Sequence, residues 1–415
     1  MSTSEFTQNW RVLLASFIGI AVGVSSIYFY SIGIFMKPLA AEFGWTRADS
    51  SLGALIGTLC AAAMVIPTGW LVDRFGSVKV CLVSLALLSG SFFALGAFTQ
   101  DLSTYLILIG LMSMITAGST PLPFTRLVVV AFRANRGKAL GIILTGTGVG
   151  AMLLPDLLAP YIAEHGWRAG YYALGVVVAV CIPVIGVLLM GARDTEVNTD
   201  KSEPSSTSNS SPVASSFLSN GRFYHLCAIF LLTALAVLGT VAHFFSMLTD
   251  SGLTPPQAGA VASLIGISVI VGRLIVGFLL DRFSAAYITA GLFLVASVGF
   301  LTLGLGGPQY AKLGAVITGL AIGAEVDLIA FLIGRLFARQ IYGIVYGVIY
   351  AVFLVGGAVG PYVAGRMFDA SGSYSSWLIV ASCLLLVSSA LSLFLPVSKA
   401  TEELNASVKE DKVTA

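Results

Sequence analysis

The feature of this sequence that most limits its possible folds is a series of long apolar runs separated by short charged or turn-rich stretches. A helix needs about 20 apolar residues to cross the bilayer core, where no water can satisfy an open backbone. Twelve runs reach that length, which predicts an all-α membrane protein with twelve transmembrane helices. The predicted spans are residues 11–36, 50–72, 78–98, 102–130, 139–163, 169–191, 223–248, 257–280, 286–305, 310–336, 342–367 and 375–397.

Composition agrees with a lipid environment. Hydrophobic residues make up 57% of the 415-residue chain and charged residues only 10%, whereas soluble domains carry about 25% charged residues. The net charge of +2 gives no indication of nucleic-acid binding. Five cysteines lie singly in apolar runs, without metal-ligand spacing, so we predict neither cofactor nor metal. The N-terminus lacks the features of a removable signal peptide, and the first helix is expected to be retained.

A Ser-rich stretch divides the chain into two sets of six spans. It contains DKSEPSSTSNSSPVASS, which buries nothing and is typical of a flexible linker. Apart from Arg126 and Arg273, lysine and arginine number fifteen on the side of the termini and five on the other. The positive-inside rule then predicts a multi-pass protein of the cytoplasmic (inner) membrane with both termini cytoplasmic. The predicted parts are an N-terminal bundle at 1–191, a cytoplasmic linker at 192–221, a C-terminal bundle at 222–397 and a cytoplasmic tail at 398–415.

The two halves share sequence patterns at nearly one offset. The stretch GWLVDRF at 69–75 matches GFLLDRF at 277–283, 208 residues later. Three glycines and a proline at 137, 141, 150 and 155 match the same residue types at 343, 347, 356 and 361, 206 residues later. Parallel repeats of this kind are a transporter architecture in which the substrate site lies between the halves, near the midplane.

At these residues the chain resembles the major facilitator superfamily, whose signature after the second helix is G-x-L-x-D-R-x-G followed by a basic residue. The resemblance implies a twelve-helix transporter of two pseudo-symmetric bundles, and not an enzyme. It also implies that the motif gates the cytoplasmic side, with Gly69 permitting close helix approach and Asp73 accepting hydrogen bonds at a helix N-terminus. Alternatively, the motif only holds the topology. The gating residues implied are Gly69, Asp73, Arg74, Gly76, Lys79, Gly277, Asp281 and Arg282.

Further stretches resemble the bacterial monocarboxylate porter branch of this superfamily. They are residues 30–39, 42–47, 131–141, 273–277 and 323–337. The chain departs from the animal members at two positions: Tyr30 stands where they have a substrate-binding lysine, and Val269 where they have an aspartate. Bacterial relatives handle varied organic anions, so the resemblance does not name the acid.

Charges within spans cost several kcal/mol unless they are paired or hydrated, so each one is a functional-site hypothesis. Arg273 has only apolar neighbours on its own helix, and its planar guanidinium suits a carboxylate. We predict that it binds the substrate carboxylate; a permanent ion pair with Glu325 or Asp327 is the alternative. These two carboxyls are about 200° apart around one helix. Either could carry a coupling proton, Asp327 slightly ahead of Glu325, or make a structural hydrogen bond.

Other candidates are weaker. Tyr28, Tyr30 and Tyr350 could donate hydrogen bonds to a carboxylate, although aromatic residues in spans more often pack. Arg126 is a second anion contact or, slightly favoured, a boundary residue. We expect His243 at an interface near a span end, and prolines 121 and 123 are expected to kink the fourth span.

These observations favour a secondary transporter of a small, monocarboxylate-like organic anion, coupled to protons by symport. An organic-anion exchanger and an exporter of a hydrophobic drug-like compound are the alternatives. Arg273 argues against drug export, and the absence of a catalytic signature such as H-E-x-x-H argues against an intramembrane enzyme. The predicted partners are the small anion, protons and the lipid bilayer, without nucleic acid or an obvious protein partner.

Overall fold

The computed structural model describes residues 3–132, 134–190, 220–280, 282–337 and 341–395. Nearly all of the predicted linker 192–221, the whole predicted tail 398–415 and Asp281 of the predicted gating motif lie outside these described residues. Within the described ranges there are sixteen α-helices and two 3-10 turns, and no strand. The predicted all-α class is confirmed.

The first half of the chain forms ten helices. Four of the predicted spans in this half are each built from two consecutive helices. The helices are α1 (Thr3–Ala21), α2 (Val24–Phe43), α3 (Arg47–Ala63), α4 (Val65–Phe75), α5 (Ser77–Phe98), α6 (Leu102–Ile115), α7 (Pro121–Ala131), α8 (Arg136–Leu144), α9 (Gly146–His165) and α10 (Trp167–Leu189).

The second half forms six uninterrupted helices, one for each predicted span. In the described part of the chain, ten helices, with α1–α2 and α8–α9 counted as continuous, are long and apolar enough to cross a membrane. The pair α3–α4, bent by 47°, adds an eleventh, and the predicted fourth span consists of the two shorter apolar helices α6 and α7. The helices are α11 (Gly221–Asp250), α12 (Pro255–Leu280), α13 (Ala285–Gly306), α14 (Ala311–Leu336), α15 (Tyr342–Ser371) and α16 (Ser375–Leu393).

The first and fourth spans are interrupted at points that contact each other. Pro121 begins α7 because it has no N–H to continue the preceding helix, so the expected kink is a complete break. The Ser119 hydroxyl in that break accepts a hydrogen bond from the backbone N–H of Val24, which begins α2 (3.2 Å). The break in the fourth span thus satisfies a backbone N–H that the break in the first span leaves open.

The halves pack through three helix pairs, α2 with α11, α3 with α15 and α9 with α12. Glycines allow the closest of these approaches: a Cβ on Gly266 of α12 would overlap the backbone of Gly148 and Met152 in α9. Without a side chain, the two backbones come into direct contact, as in small-residue interfaces of membrane helices.

The bundle has two unlike ends. We call the end where α10 ends and α11 begins the linker end, and the other the opposite end. Among the described residues, α4, α7 and α8 at the linker end have no packing with the second half comparable to that of α3 on α15. The two halves are therefore closed against each other at the opposite end and diverge towards the linker end.

Candidate functional site

Arg273 on α12 meets its partner on α14. Its Nε lies 3.3 Å from an Asp327 carboxylate oxygen and 3.5 Å from the carbonyl oxygen of Gly323. Glycines make this contact possible, because a Cβ on Gly323 would overlap the carbonyl of Val269. The Arg273 side chain is 15% exposed, yet its Nη1 is buried without a hydrogen-bond partner among the described residues. One strong donor of the guanidinium therefore remains unsatisfied.

The two carboxyls of α14 have different surroundings, as their separation around the helix predicts. The Asp327 side chain is 34% exposed and faces Arg273. Glu325 is 1% exposed, and its Oε1 has no partner in the described part of the chain. An ionised carboxylate buried in this way is costly, and a proton removes that cost. The arrangement can accept protons as well as an anion.

Tyrosines from both halves lie near this group. Tyr30 on α2 is within electrostatic range of Arg273 and Glu325. On α15, Tyr346 is within electrostatic range of Asp327. The ring of Tyr350 is nearly parallel to that of Tyr346, with the two centroids 5.7 Å apart.

Tyr28 and Arg126 are not part of this group. Tyr28 is two residues from Tyr30, so its side chain is directed to another face of α2, and its hydroxyl donates to the carbonyl of Gly53 (3.2 Å). Arg126 on α7 forms an ion pair with Asp73 on α4. The partner of Asp73 is thus a guanidinium of the same half, rather than the helix N-terminus that the motif suggested.

The remaining motif residues border the open linker end. Arg74 lies over the ring of Trp70 at 5.3 Å, and Arg282 over that of Phe278 at 4.1 Å. Lys79 is exposed. Gly76, with φ of 86°, separates α4 from α5, a backbone conformation that favours glycine.

The close helix approach expected of Gly69 is absent. A Cβ there would meet nothing within 4 Å in the described part of the chain, and the same holds for the matching Gly277. The repeated glycines of the other sequence match behave likewise at the linker end; they are Gly137, Gly141, Gly343 and Gly347. These glycine faces are unpacked in this conformation.

At the opposite end, ionic groups join the halves. Asp250, the last residue of α11, accepts two hydrogen bonds from the Arg47 guanidinium (3.0 and 3.1 Å) and pairs with Lys37 at 2.5 Å. Asp369 on α15 accepts from the backbone N–H groups of Arg47 and Ala48, both at 2.9 Å. The sequence analysis did not predict this network. Its only signal there was that both halves place charged residues on the same predicted side of the membrane.

His243 also contributes to the contact between the two halves. The expectation that it lies at the membrane surface near a span end is therefore wrong. It is fully buried on α11. Its Nε2 lies 2.8 Å from the carbonyl oxygen of Pro361 and 3.1 Å from the Ser51 hydroxyl of the first half. Its Nδ1 lies 2.9 Å from the Tyr374 hydroxyl. Every polar atom of the ring has a partner, which is what a buried imidazole needs.

Comparison with known proteins decides the family. Residues 18–326 match the Major Facilitator Superfamily. The chain belongs to this superfamily. The protein is therefore a multi-pass membrane transporter of a small molecule, and not an enzyme. Among the described residues of the transporter, no group of three or more His, Cys, Asp or Glu side chains could hold a metal ion.

Relatives of the transporter cover nearly its whole length. An uncharacterized MFS-type transporter, YcxA of Bacillus subtilis, is 25% identical over 91% of this chain and 92% of its own. Monocarboxylate transporter 13 of Rattus norvegicus is 24% identical over 98% and 93%. Monocarboxylate transporter 12 of Homo sapiens is 23% identical over 88% and 75%.

Solved transporters share the fold. A mutant of the nucleoside transporter NupG superposes with a TM-score of 0.72 at 14% identity, covering 94% of this chain and 99% of its own. A bacterial homologue of the human lysosomal transporter Spinster, in an inward-facing and unoccupied conformation, superposes with a TM-score of 0.69 at 17% identity, covering 94% and 96%. At these identities the likeness concerns architecture alone.

Proposed function

We propose that the transporter carries a small, monocarboxylate-like organic anion together with protons, by alternating access in the cytoplasmic membrane, with its linker end in the cytoplasm. The observation that carries this proposal is the buried Nη1 of Arg273, which has no hydrogen-bond partner within the described ranges. A buried cationic donor needs an acceptor, and a carboxylate fits the guanidinium fork in a bidentate manner. The relatives named monocarboxylate transporters are consistent with such a substrate.

Proton coupling follows from competition for Arg273. The guanidinium contacts Asp327 through Nε, at 3.3 Å. A substrate carboxylate that takes over this guanidinium leaves Asp327 as a second, poorly compensated anion within the membrane. Protonating Asp327, or Glu325 beside it, removes the excess charge, so anion and proton move at lower cost together than the anion alone.

Alternating access is supported by the contrast between the two ends. The halves are joined by ions and close glycine contacts at the opposite end, whereas the repeated glycines of the linker end contact no other described residue through the position of a Cβ. Small residues at matched positions in both halves suit a second conformation, in which the linker end closes and these glycines pack.

Transport by purified protein in liposomes tests the proposal. We expect uptake of a labelled monocarboxylate such as lactate or benzoate to rise when an inward proton gradient is imposed. Arg273→Gln should lose uptake and binding almost wholly, while the control Arg222→Gln, at the exposed start of α11, should keep both. Wild-type affinity in folded Arg273→Gln would refute the anion site.

Two other results would redirect the proposal. An anion exchanger would require an organic acid inside the liposomes for uptake, and its uptake would not respond to the proton gradient. Failure to bind any carboxylate, with binding of apolar cations instead, would favour drug export.

A further inference from the structure

One face of α15 carries a row of aromatic rings. Tyr342, Tyr346 and Tyr350 follow each other at four-residue intervals, with ring centroids 5.9 and 5.7 Å apart and ring planes within 18° and 10° of parallel. Phe353 extends the row at 5.9 Å. Four residues of helix rise about 6 Å, so the rings are spaced by the helix itself.

This tyrosine row (Tyr342, Tyr346 and Tyr350) runs beside the charged group of α14. The Tyr342 hydroxyl lies 3.5 Å from the carbonyl oxygen of Ala330, close to one turn from Asp327, and Tyr346 is within electrostatic range of Asp327. The row therefore extends from the linker end to the level of Arg273 and its partner.

The hydroxyls of the row differ from those of the buried tyrosines in the first half. Tyr28 donates to a backbone carbonyl, and Tyr105 and Tyr171 hydrogen-bond to each other. Tyr346 and Tyr350 are half-buried, and neither hydroxyl has a hydrogen-bond partner among the described residues. Packing alone accounts for the first set. The hydroxyls of Tyr346 and Tyr350 are instead accessible beside an ion pair, where they can contact water or a substrate.

We infer that the tyrosine row determines substrate specificity and that the substrate is a monocarboxylate with a flat, aromatic body. Aromatic rings attract one another in offset-stacked or T-shaped arrangements, so a row of rings favours a flat aromatic substrate over an aliphatic one. Arg273 holds the carboxylate at one end, and the substrate ring packs against the rings of Tyr346 and Tyr350. This inference rests on the proposed function, because it needs Arg273 to hold the carboxylate.

Two acids of equal size and charge isolate the aromatic contribution. Benzoate is flat and cyclohexanecarboxylate is puckered, while each has seven carbons and one carboxylate. We expect the wild-type protein in nanodiscs to bind benzoate about tenfold more tightly, and Tyr346→Leu and Tyr350→Leu each to reduce that ratio about threefold, the size of one aromatic contact. Acetate, which has no ring, should lose less affinity than benzoate in both variants.

Controls separate the ring from the fold. Tyr287→Leu, at an exposed position of α13, should keep the wild-type ratio, and so should Tyr346→Phe, which retains the ring edge. Equal wild-type affinity for benzoate and cyclohexanecarboxylate would overturn the inference, and so would an unchanged affinity ratio in both leucine variants. In either case, binding of acetate would still support the proposed function. If the wild type binds none of the three acids, the proposed function itself is wrong and the inference falls with it.

Discussion

The carboxylate of Asp369, near the end of α15, accepts hydrogen bonds from the backbone N–H groups of Arg47 and Ala48, the first two residues of α3, both at 2.9 Å. A helix begins with N–H groups that have no partner within the helix and with a partial positive charge. Thr46 satisfies the third of them through the capping box with Asp49. The second half of the chain thus completes the N-terminal cap of a helix in the first half.

Asp369→Asn should weaken closure of the opposite end. The loss of a charge-assisted cap, about 1–2 kcal/mol, should shift the balance towards separated halves by roughly 5–30-fold. Spin labels at Ala41 and Gln257, exposed positions on the two halves at that end, would report the distance between them. Asp49→Asn, which alters the cap within one half only, is the matched control. An unchanged distance distribution in Asp369→Asn would remove the gating role of this contact.

Asp73→Asn should slow transport while leaving insertion and stability largely intact. The Asp73 side chain is 69% exposed beside Arg126, and exposed ion pairs contribute little to stability. If the ion pair must rearrange when the linker end closes, turnover should fall by roughly fivefold or more, which is the smallest effect typical of a conformational coupling free energy. Asp101→Asn is the control, because this exposed residue caps α6 at the opposite end and asparagine also caps well. Normal turnover in Asp73→Asn would leave the motif a topological role only.

Asp327→Asn should abolish accumulation driven by a proton gradient. The amide keeps the shape of the side chain facing Arg273 but cannot take up a proton. Exchange of labelled for unlabelled substrate should continue, because it needs no net proton movement. Glu325→Gln should reduce gradient-driven uptake less. Full gradient-driven uptake in both variants would show that protons move by another route.

Gly343→Val should inhibit transport without destabilising the conformation described here. A Cβ at this position would have no neighbour within 4 Å among the described residues, so the larger side chain fits in this conformation and obstructs closure of the linker end. Gly291→Val, also open but on α13, is the control and should transport normally. Thermal stability of both variants in detergent should match the wild type. Equal transport by the two variants would argue against a packing role for the linker-end glycines.

Much of the architecture was readable from the sequence, because bilayer thickness and helix geometry are local constraints. Each of the twelve predicted runs is occupied by one helix or by two consecutive ones. Local rules also predicted that Glu325 and Asp327 face different surroundings, and that Arg273 has no partner on its own helix. The break before Pro121 was predicted as a kink, since proline affects the backbone wherever it stands.

Only the tertiary structure decided which groups meet. Arg273 and Asp327 are 54 residues apart, and Arg47 and Asp369 are 322 apart, so their contacts depend on how each helix is rotated and tilted against its neighbours. The same holds for His243, whose burial follows from the packing of both α11 and α3 against α15 rather than from its place near a span end. Helical periodicity determines which residues share a face, but the partner of that face is determined by the packing of the whole bundle.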